Sequence, residues 1–419
     1  MTTRGYQHEL VNLLSSRRGR RFLFTALYLS EGAPIGFIWW ALPTKLRAAG
    51  VDIGVITTLT SILVFPWIFK FLWSPLIDGI RTPRWSLKSW ILSMQLLMGG
   101  ALVPLLFFDL AANLHFLIPF LLLHAIAAAT QDASIDALAI SCVPDTERGS
   151  MNGWMQLGML VGRSALGGGA LLLEQRIGPA AVIVLLVTVI WSSSILVLLS
   201  RVATSSAEEG ESIRDRMRAL LPRLRAASRN RTTWLGLLFA GIAGSGFEAV
   251  GGVAGPFLID RGLLPEEVGR FYALHSVLAM AGGAVIGGYL ADRLGKRTAV
   301  TLFLLLMAVC ILTLAALDAG MPQRAAEWKV PMMTLLYLCI GLFTASSYAL
   351  FMEITDPTLG ATQFSTYMGA TNGCESWSTF AVGKMIPAVG YPVAFSLMTV
   401  VSLAAIPLLK FLSVRRGNS

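Results

Sequence analysis

The chain has 419 residues, of which 55% are hydrophobic and only 14% are charged, and its mean hydropathy is +0.67. A water-soluble chain of this length would need far more polar side chains to cover its surface, so the composition excludes an ordinary soluble protein. The net charge of +9 comes from arginines in short connections, which is typical of membrane topology rather than of nucleic-acid binding. We therefore expect an integral membrane protein surrounded by lipid.

Apolar segments of bilayer length recur along nearly the whole chain, separated by charged or Gly- and Pro-containing connections. The spans predicted in the first half are residues 22–42, 54–76, 87–108, 115–140, 150–173 and 179–200. Those predicted in the second half are residues 233–258, 266–291, 298–317, 331–352, 362–386 and 390–411. The first segment is long enough to span and follows a run of arginines, so we expect a span there and not a cleaved signal.

Twelve spans would place both termini on one side of the membrane. With the N-terminus inside, the inner segments hold about 23 of the 33 Lys and Arg residues, which predicts cytoplasmic termini and, for a bacterial protein, the inner membrane. The longest polar stretch, residues 201–232, is predicted to be a cytoplasmic linker. It would separate a first bundle, residues 1–200, from a second, residues 233–419.

A repeated motif relates the two halves. Asp78 follows the second predicted span and Asp292 follows the eighth, 214 positions later (292 − 78), and a basic cluster follows each of them. The clusters consist of Arg81 and Arg84 in the first half, and of Arg293, Lys296 and Arg297 in the second. Halves repeated in parallel are expected around an axis along the membrane normal. The sequence thus predicts an all-α polytopic protein with twelve transmembrane helices in two pseudo-symmetric six-helix bundles.

Several segments carry a resemblance to a known family. Residues 288–297 resemble the loop signature of the major facilitator superfamily. Residues 69–78, 129–136, 147–149, 157–162 and 361–365 are similar to segments of the AmpG-type muropeptide permeases and their relatives, a group that also holds acetyl-CoA transporters and siderophore uptake proteins. The resemblance implies a major facilitator fold that moves a small-molecule solute by alternating access.

Ionisable groups inside the predicted spans are the candidates for solute or proton binding, because such groups are costly in lipid unless they face a cavity or a partner. Glu31 is a candidate for proton coupling, for solute contact or for a structural hydrogen bond. His124, Asp132 and Asp136 are predicted to share one face of the fourth span, where they could relay protons or hold structural contacts. Arg163 is expected to bind an anionic solute or to pair with Glu31 or Asp132.

The second half contains a corresponding set of candidate residues for solute or proton binding. Glu248 in the seventh span is interpreted as the counterpart of Glu31, and Glu375 in the eleventh span is a second candidate carboxylate. Asn372 and Trp377 beside it are candidate solute contacts. A structural role remains the alternative for each of them.

A cytoplasmic gate is predicted from the repeated aspartates. A carboxylate can cap the N-terminus of a helix, where free N–H groups and the helix dipole favour negative charge. By the family resemblance, Asp78 would face the start of the eleventh span near Thr362, and Asp292 the start of the fifth near Ser150. The gate is predicted to include the basic clusters named above, together with Glu147 and Arg148.

The sequence contains no HExxH motif, nucleophile elbow or phosphate-binding loop, and its four cysteines show no paired spacing. It therefore predicts no enzymatic activity, no cofactor and no metal site. Proton-coupled import of an amphipathic or anionic solute by a monomer is the first hypothesis, since intramembrane Glu, Asp and His can be neutralised during a cycle. A facilitated uniporter, a flippase for a lipid-linked solute and a non-transporting receptor remain alternatives.

Overall fold

The computed structural model describes residues 12–79, 85–200, 222, 225, 229–321, 325–355 and 360–412. Nearly all of these residues lie in helices. A helix satisfies its own backbone hydrogen bonds, which is required in a bilayer core without water. Eleven helices in the described part are long and apolar enough to cross a membrane, and the last of them contains two spans.

The helices of the first half occupy all six predicted positions. They are α1 (Arg17–Ala48), α2 (Ile53–Gly79), α3 (Leu87–Leu106), α4 (Leu114–Cys142), α5 (Ser150–Ile177) and α6 (Pro179–Leu199). Those of the second half are α7 (Arg231–Asp260), α8 (Pro265–Leu294), α9 (Lys296–Gly320), α10 (Ala325–Ile354), α11 (360–389) and α12 (391–411). Most of the predicted linker lies outside the described residues, and the bundle boundaries remain a prediction.

The positions of four glycines with positive φ reflect the pseudo-symmetry of the two halves. Gly50 follows α1 and Gly262 follows α7, while Gly178 separates α5 from α6 and Gly390 separates α11 from α12. Both pairs are 212 positions apart (262 − 50 and 390 − 178), and φ lies between 77° and 87° at all four. Glycine is favoured there because a Cβ strains a backbone in this region. Gly390 divides the last long helix, which confirms the prediction of twelve spans in two six-helix bundles.

The two halves are joined at the end of the molecule that carries these glycines, which is the predicted outer end. Arg47 of α1 pairs with Asp260 of α7, with Nε and Oδ1 2.6 Å apart, and Tyr391 of α12 donates to the other oxygen of Asp260 at 2.7 Å. Below this pair, the rings of Trp40 on α1 and Tyr272 on α8 stack with centroids 5.0 Å apart. These contacts close the space between the halves on this side.

Three spans contain a π-helical segment at the same level. The segments are Phe37–Ala41 in α1, Ser164–Gly168 in α5 and Phe271–Ser276 in α8. The Ser164 hydroxyl donates to the carbonyl oxygen of Ala273, and a Cβ built on Gly168 would lie 2.1 Å from the amide nitrogen of Ala273. The backbones of α5 and α8 therefore touch here. Such π-segments are frequent at functional sites.

Candidate functional site

A central cavity of about 320 Å³ lies between the two halves. Its walls come from α1, α2 and α5 of the first half and from α7, α8, α10 and α11 of the second. The charged and amide groups on these walls belong to Arg163, Glu248, Asn372 and Glu375. The aromatic residues are Trp39, Trp40, Trp67, Phe247, Tyr337, Phe343 and Tyr348. Polar groups placed on aromatic walls are typical of a small-molecule site.

Arg163 stands on α5 directly before the π-segment and reaches the cavity from the first half. Its Nε is buried without a hydrogen-bond partner, and the guanidinium forms no ion pair with any described residue. The expected pairing with Glu31 or Asp132 is therefore not formed in this structure. Glu248 and Glu375 line the same cavity from the second half. The site thus presents a cation on one side and carboxylates on the other.

Trp39 links the two halves across the cavity. Its indole Nε1–H donates to Oε1 of Glu375 at 2.7 Å, and its ring meets Trp67 edge to face with centroids 5.4 Å apart. Neither tryptophan was among the site residues predicted from the sequence. A signal was available for Trp39, which stands in the same helix as the candidate Glu31, and both rings can present flat apolar faces to a solute.

Glu248 is not level with Glu31. Counted back from the matched glycines, Glu31 lies 19 positions before Gly50, whereas Glu248 lies 14 positions before Gly262. Glu248 therefore corresponds in depth to Gly36, which also lines the cavity. The interpretation of the two glutamates as equivalent positions is wrong, because the seventh span carries its carboxylate more than one turn closer to the outer end.

A second group of charges lies within the first half, beside the cavity. Lys70 of α2 pairs with Asp132 of α4 at 2.6 Å, and the Tyr28 hydroxyl of α1 donates to Asp136 of α4 at 2.6 Å. The same hydroxyl is 3.4 Å from Asp132. We call Tyr28, Glu31, Lys70, Asp132 and Asp136 the first-half cluster. Sequence reasoning found its three carboxylates but missed Lys70, the only lysine within the described apolar part of α2.

Glu31 lies near the middle of α1, between Tyr28 and the cavity-lining Ile35. Its side chain is fully buried, and neither carboxylate oxygen has a hydrogen-bond partner among the described residues. It remains within electrostatic reach of Lys70 and Asp132. A charged carboxylate without partners is costly in such a position.

Two predicted site residues lie elsewhere. The Nδ1–H of His124 donates to the carbonyl oxygen of Met98 on α3 at 3.0 Å, so His124 does not join the first-half cluster. Trp377 is exposed and donates to the carbonyl oxygen of Gly241 at 2.8 Å, and it does not line the cavity. Residues two positions apart on a helix do not share a face, which explains why Trp377 points away although Glu375 lines the site.

The predicted gate residues form contacts within each half. Glu147 pairs with Arg20 at 2.7 Å, and the hydroxyl of Ser150 accepts a hydrogen bond from Arg21 at 3.0 Å. Asp292 is exposed and has no hydrogen bond or ion pair with a described residue, so the expected contact near Ser150 is not formed in this conformation.

The basic residues that follow Asp292 also stay within the second half. The Arg293 guanidinium lies 4.4 Å from the ring centroid of Tyr289, and Arg297 donates to the carbonyl oxygen of Leu412. Lys296 begins α9. The side chains of Asp78 and Arg148, and the whole of Arg81 and Arg84, lie outside the described residues.

Two pseudo-symmetric six-helix bundles around a polar, aromatic cavity define a membrane transporter. A family model described as Major Facilitator Superfamily matches residues 22–383. The chain therefore belongs to the major facilitator superfamily, and it is an integral membrane protein.

Individual relatives agree with this assignment. The anhydromuropeptide permease of Escherichia coli (strain K12) is 25% identical over 390 residues, covering 88% of this chain and 78% of the relative. A relative from Rickettsia conorii with the name AmpG 4 is 22% identical over 423 residues, covering 94% of this chain and 97% of the relative. Among solved structures, a D-xylose–proton symporter superposes with a TM-score of 0.74 at 12% identity, covering 95% and 98%, which supports the fold alone.

Proposed function

We propose that the protein imports an amphipathic solute with an anionic group, of the muropeptide or siderophore kind, in symport with protons. It would act as a monomer in a bacterial inner membrane, with both termini in the cytoplasm. The observation that carries the proposal is the Arg163 guanidinium, which faces an aromatic cavity without an ion pair among the described residues. A cation held inside a membrane protein in this way suits an anionic ligand.

The cavity walls support the amphipathic character of the solute. Trp39 and Trp67 offer ring faces for an apolar or sugar surface, while Asn372 and Glu248 can bond to hydroxyl or amide groups. The name of the Escherichia coli relative, an anhydromuropeptide permease, favours a solute of this class.

Proton coupling is supported by the carboxylates. Glu31 is buried without a hydrogen-bond partner in the described part of the chain, and Glu248 and Glu375 stand on the cavity wall. These groups can alternate between charged and neutral forms as the site changes access. With the outer end closed by Arg47 and Asp260, we interpret this structure as an inward-facing state.

The experiment is uptake into proteoliposomes of labelled muropeptide, ferric siderophore and acyl-CoA, with and without an inward proton gradient. We expect one solute class to accumulate only with the gradient, and Arg163→Gln to lower its uptake. Arg270→Gln is the matched control, because Arg270 lies outside the cavity and pairs with Glu266 within α8. Equal uptake without a gradient would instead indicate a uniporter, and movement of lipid-linked probes alone would indicate a flippase.

A further inference from the structure

The first-half cluster lies one helical turn from the cavity and is distinct from it. Glu31 stands four residues before the cavity-lining Ile35 on α1, and Lys70 stands three residues after the cavity-lining Trp67 on α2. At 1.5 Å per residue these offsets are about 4.5–6 Å along the helices. None of the five cluster residues lines the cavity. Helices α1 and α2 therefore contribute residues both to the cavity wall and to the first-half cluster.

The charges of the cluster do not balance. It holds three carboxyl groups and one ammonium group, and the ammonium of Lys70 is 2.6 Å from Asp132. Asp136 accepts a hydrogen bond from the Tyr28 hydroxyl. Glu31 has neither kind of contact with the residues that the structure describes, and it is the most deeply buried of the three carboxyl groups. A buried carboxyl group without a cation or donor is more stable as the neutral acid.

No cation among the described residues lies within ion-pair distance of Glu31. The charged or titratable groups that face it are Lys70 from α2, Asp132 and Asp136 from α4, Arg163 from α5 and Tyr28 from its own helix. From α6, the Ser193 hydroxyl bonds to the neighbouring Ser30 and not to Glu31. Arg163 forms no ion pair with it.

We propose that Lys70 is the positioning residue of a proton site separate from the solute cavity. Its ion pair with Asp132 keeps that carboxylate charged and leaves Glu31 as the group that carries the proton. In this conformation the first-half cluster reaches solvent at Asp136 and Lys70, which are partly exposed, whereas the outer end is closed. This inference rests on the proposed proton coupling and adds the residue that decides where the proton resides.

The test is infrared spectroscopy of the purified protein in lipid at neutral pH, which separates the C=O band of a carboxylic acid from the bands of a carboxylate. No solute is required. We expect Glu31→Gln to remove one carboxylic acid band from the wild-type spectrum. Lys70→Met should add one, because Asp132 loses its cation and takes up a proton. Lys70→Arg should retain the wild-type spectrum, since it keeps the positive charge.

Two further variants separate this role from general damage to the fold. The double variant Lys70→Met with Asp132→Asn removes both charges of this ion pair and should restore the wild-type band pattern, even if Lys70→Met alone proves unstable. Lys88→Met is the matched control, because the Lys88 ammonium bonds to the backbone carbonyls of Leu198 and Ser200, outside the cluster. It should change no carboxylic acid band.

Two results would overturn the inference: a Glu31→Gln spectrum identical to that of the wild type, or a Lys70→Met spectrum without an added band in folded protein. Transport is judged separately. If uptake does not depend on the proton gradient but the infrared pattern is as expected, the proposed symport is contradicted and the proton site is still supported. If uptake is driven by the gradient but the variants have the infrared pattern of the wild type, the symport is supported and the proposed proton site is contradicted.

Discussion

Trp39 and Glu375 form a hydrogen bond that crosses the cavity from one half of the protein to the other, with Nε1 and Oε1 2.7 Å apart. Because α1 and α11 belong to different bundles, this contact must change whenever the bundles move relative to each other. It also occupies an acceptor that a bound solute could use.

Replacing Trp39 by phenylalanine removes the donor to Glu375 and part of the aromatic wall. One hydrogen bond contributes about 0.5–1.5 kcal/mol, so we expect the KM of the transported solute to change by about twofold to tenfold. Trp377→Phe is the matched control, since Trp377 stands outside the cavity and bonds to Gly241. Equal effects of the two substitutions on KM would contradict the assignment of Trp39 to the solute-binding wall of the cavity.

The ion pair between Arg47 and Asp260 should hold the outer end closed. Asp260→Asn removes the charge, and a partly exposed pair contributes about 1 kcal/mol at most, so the open population should rise by up to about fivefold. The measurement is labelling of a cysteine placed at Thr44, which is fully buried here, by a membrane-impermeant maleimide added from outside. Arg270→Gln should leave the labelling rate unchanged, because its pair lies within α8.

The close approach of α5 and α8 should not tolerate a side chain at Gly168. A Cβ there would lie 2.1 Å from the amide nitrogen of Ala273, and overpacking costs about 1–3 kcal/mol. We expect Gly168→Val to slow uptake by about fivefold to 150-fold and to raise outside labelling of the cysteine at Thr44. Gly169→Ala, whose Cβ would meet only Ser164 at 3.4 Å, is the control. Normal uptake by Gly168→Val would show that closure does not require this contact.

Asp292 should act on the rate of transport and not on solute affinity. It is exposed in this conformation and lies far from the cavity lining, and it is predicted to cap α5 only when the inner end closes. A helix-terminal charge contributes about 1 kcal/mol at most, so Asp292→Asn should alter the maximal uptake rate by up to about fivefold. Glu353→Gln, which changes an exposed carboxylate at the same end of the second half, should have little effect. A parallel loss of solute binding in Asp292→Asn would count against a gate role.

The fold was predictable because hydrophobic length and the repeated Asp78 and Asp292 motifs are direct consequences of the bilayer and of the duplicated halves. The membrane carboxylates were also predictable, since a charge such as Glu31 inside an apolar segment is conspicuous. The pairing of these charges was not, because it depends on the rotation and depth of each helix. Lys70 meets Asp132 across 62 positions of sequence, and no local pattern reveals that contact.

The predictions that failed, on the depth of Glu248 and the direction of His124, failed because they also depend on how the helices pack. Glu248 and Glu31 occupy corresponding spans, but the distance of each from its terminal glycine differs by five positions. His124 shares a helix with Asp132 and bonds to a backbone carbonyl on α3 instead of joining the cluster. Periodicity places residues on a helix surface, whereas neighbouring helices decide which of them reach the cavity.

We propose that solute and protons move together and that Glu31 carries the proton. The most direct measurement is the external pH of lightly buffered proteoliposomes, recorded with an electrode when the transported solute is added without any imposed gradient. We predict a solute-dependent alkalinisation for the wild type. Glu31→Gln should exchange labelled solute but give no pH change, because its neutral side chain mimics the protonated carboxyl group. Solute entry into wild-type vesicles without any pH change would contradict symport, and the same alkalinisation in Glu31→Gln would contradict the role of Glu31.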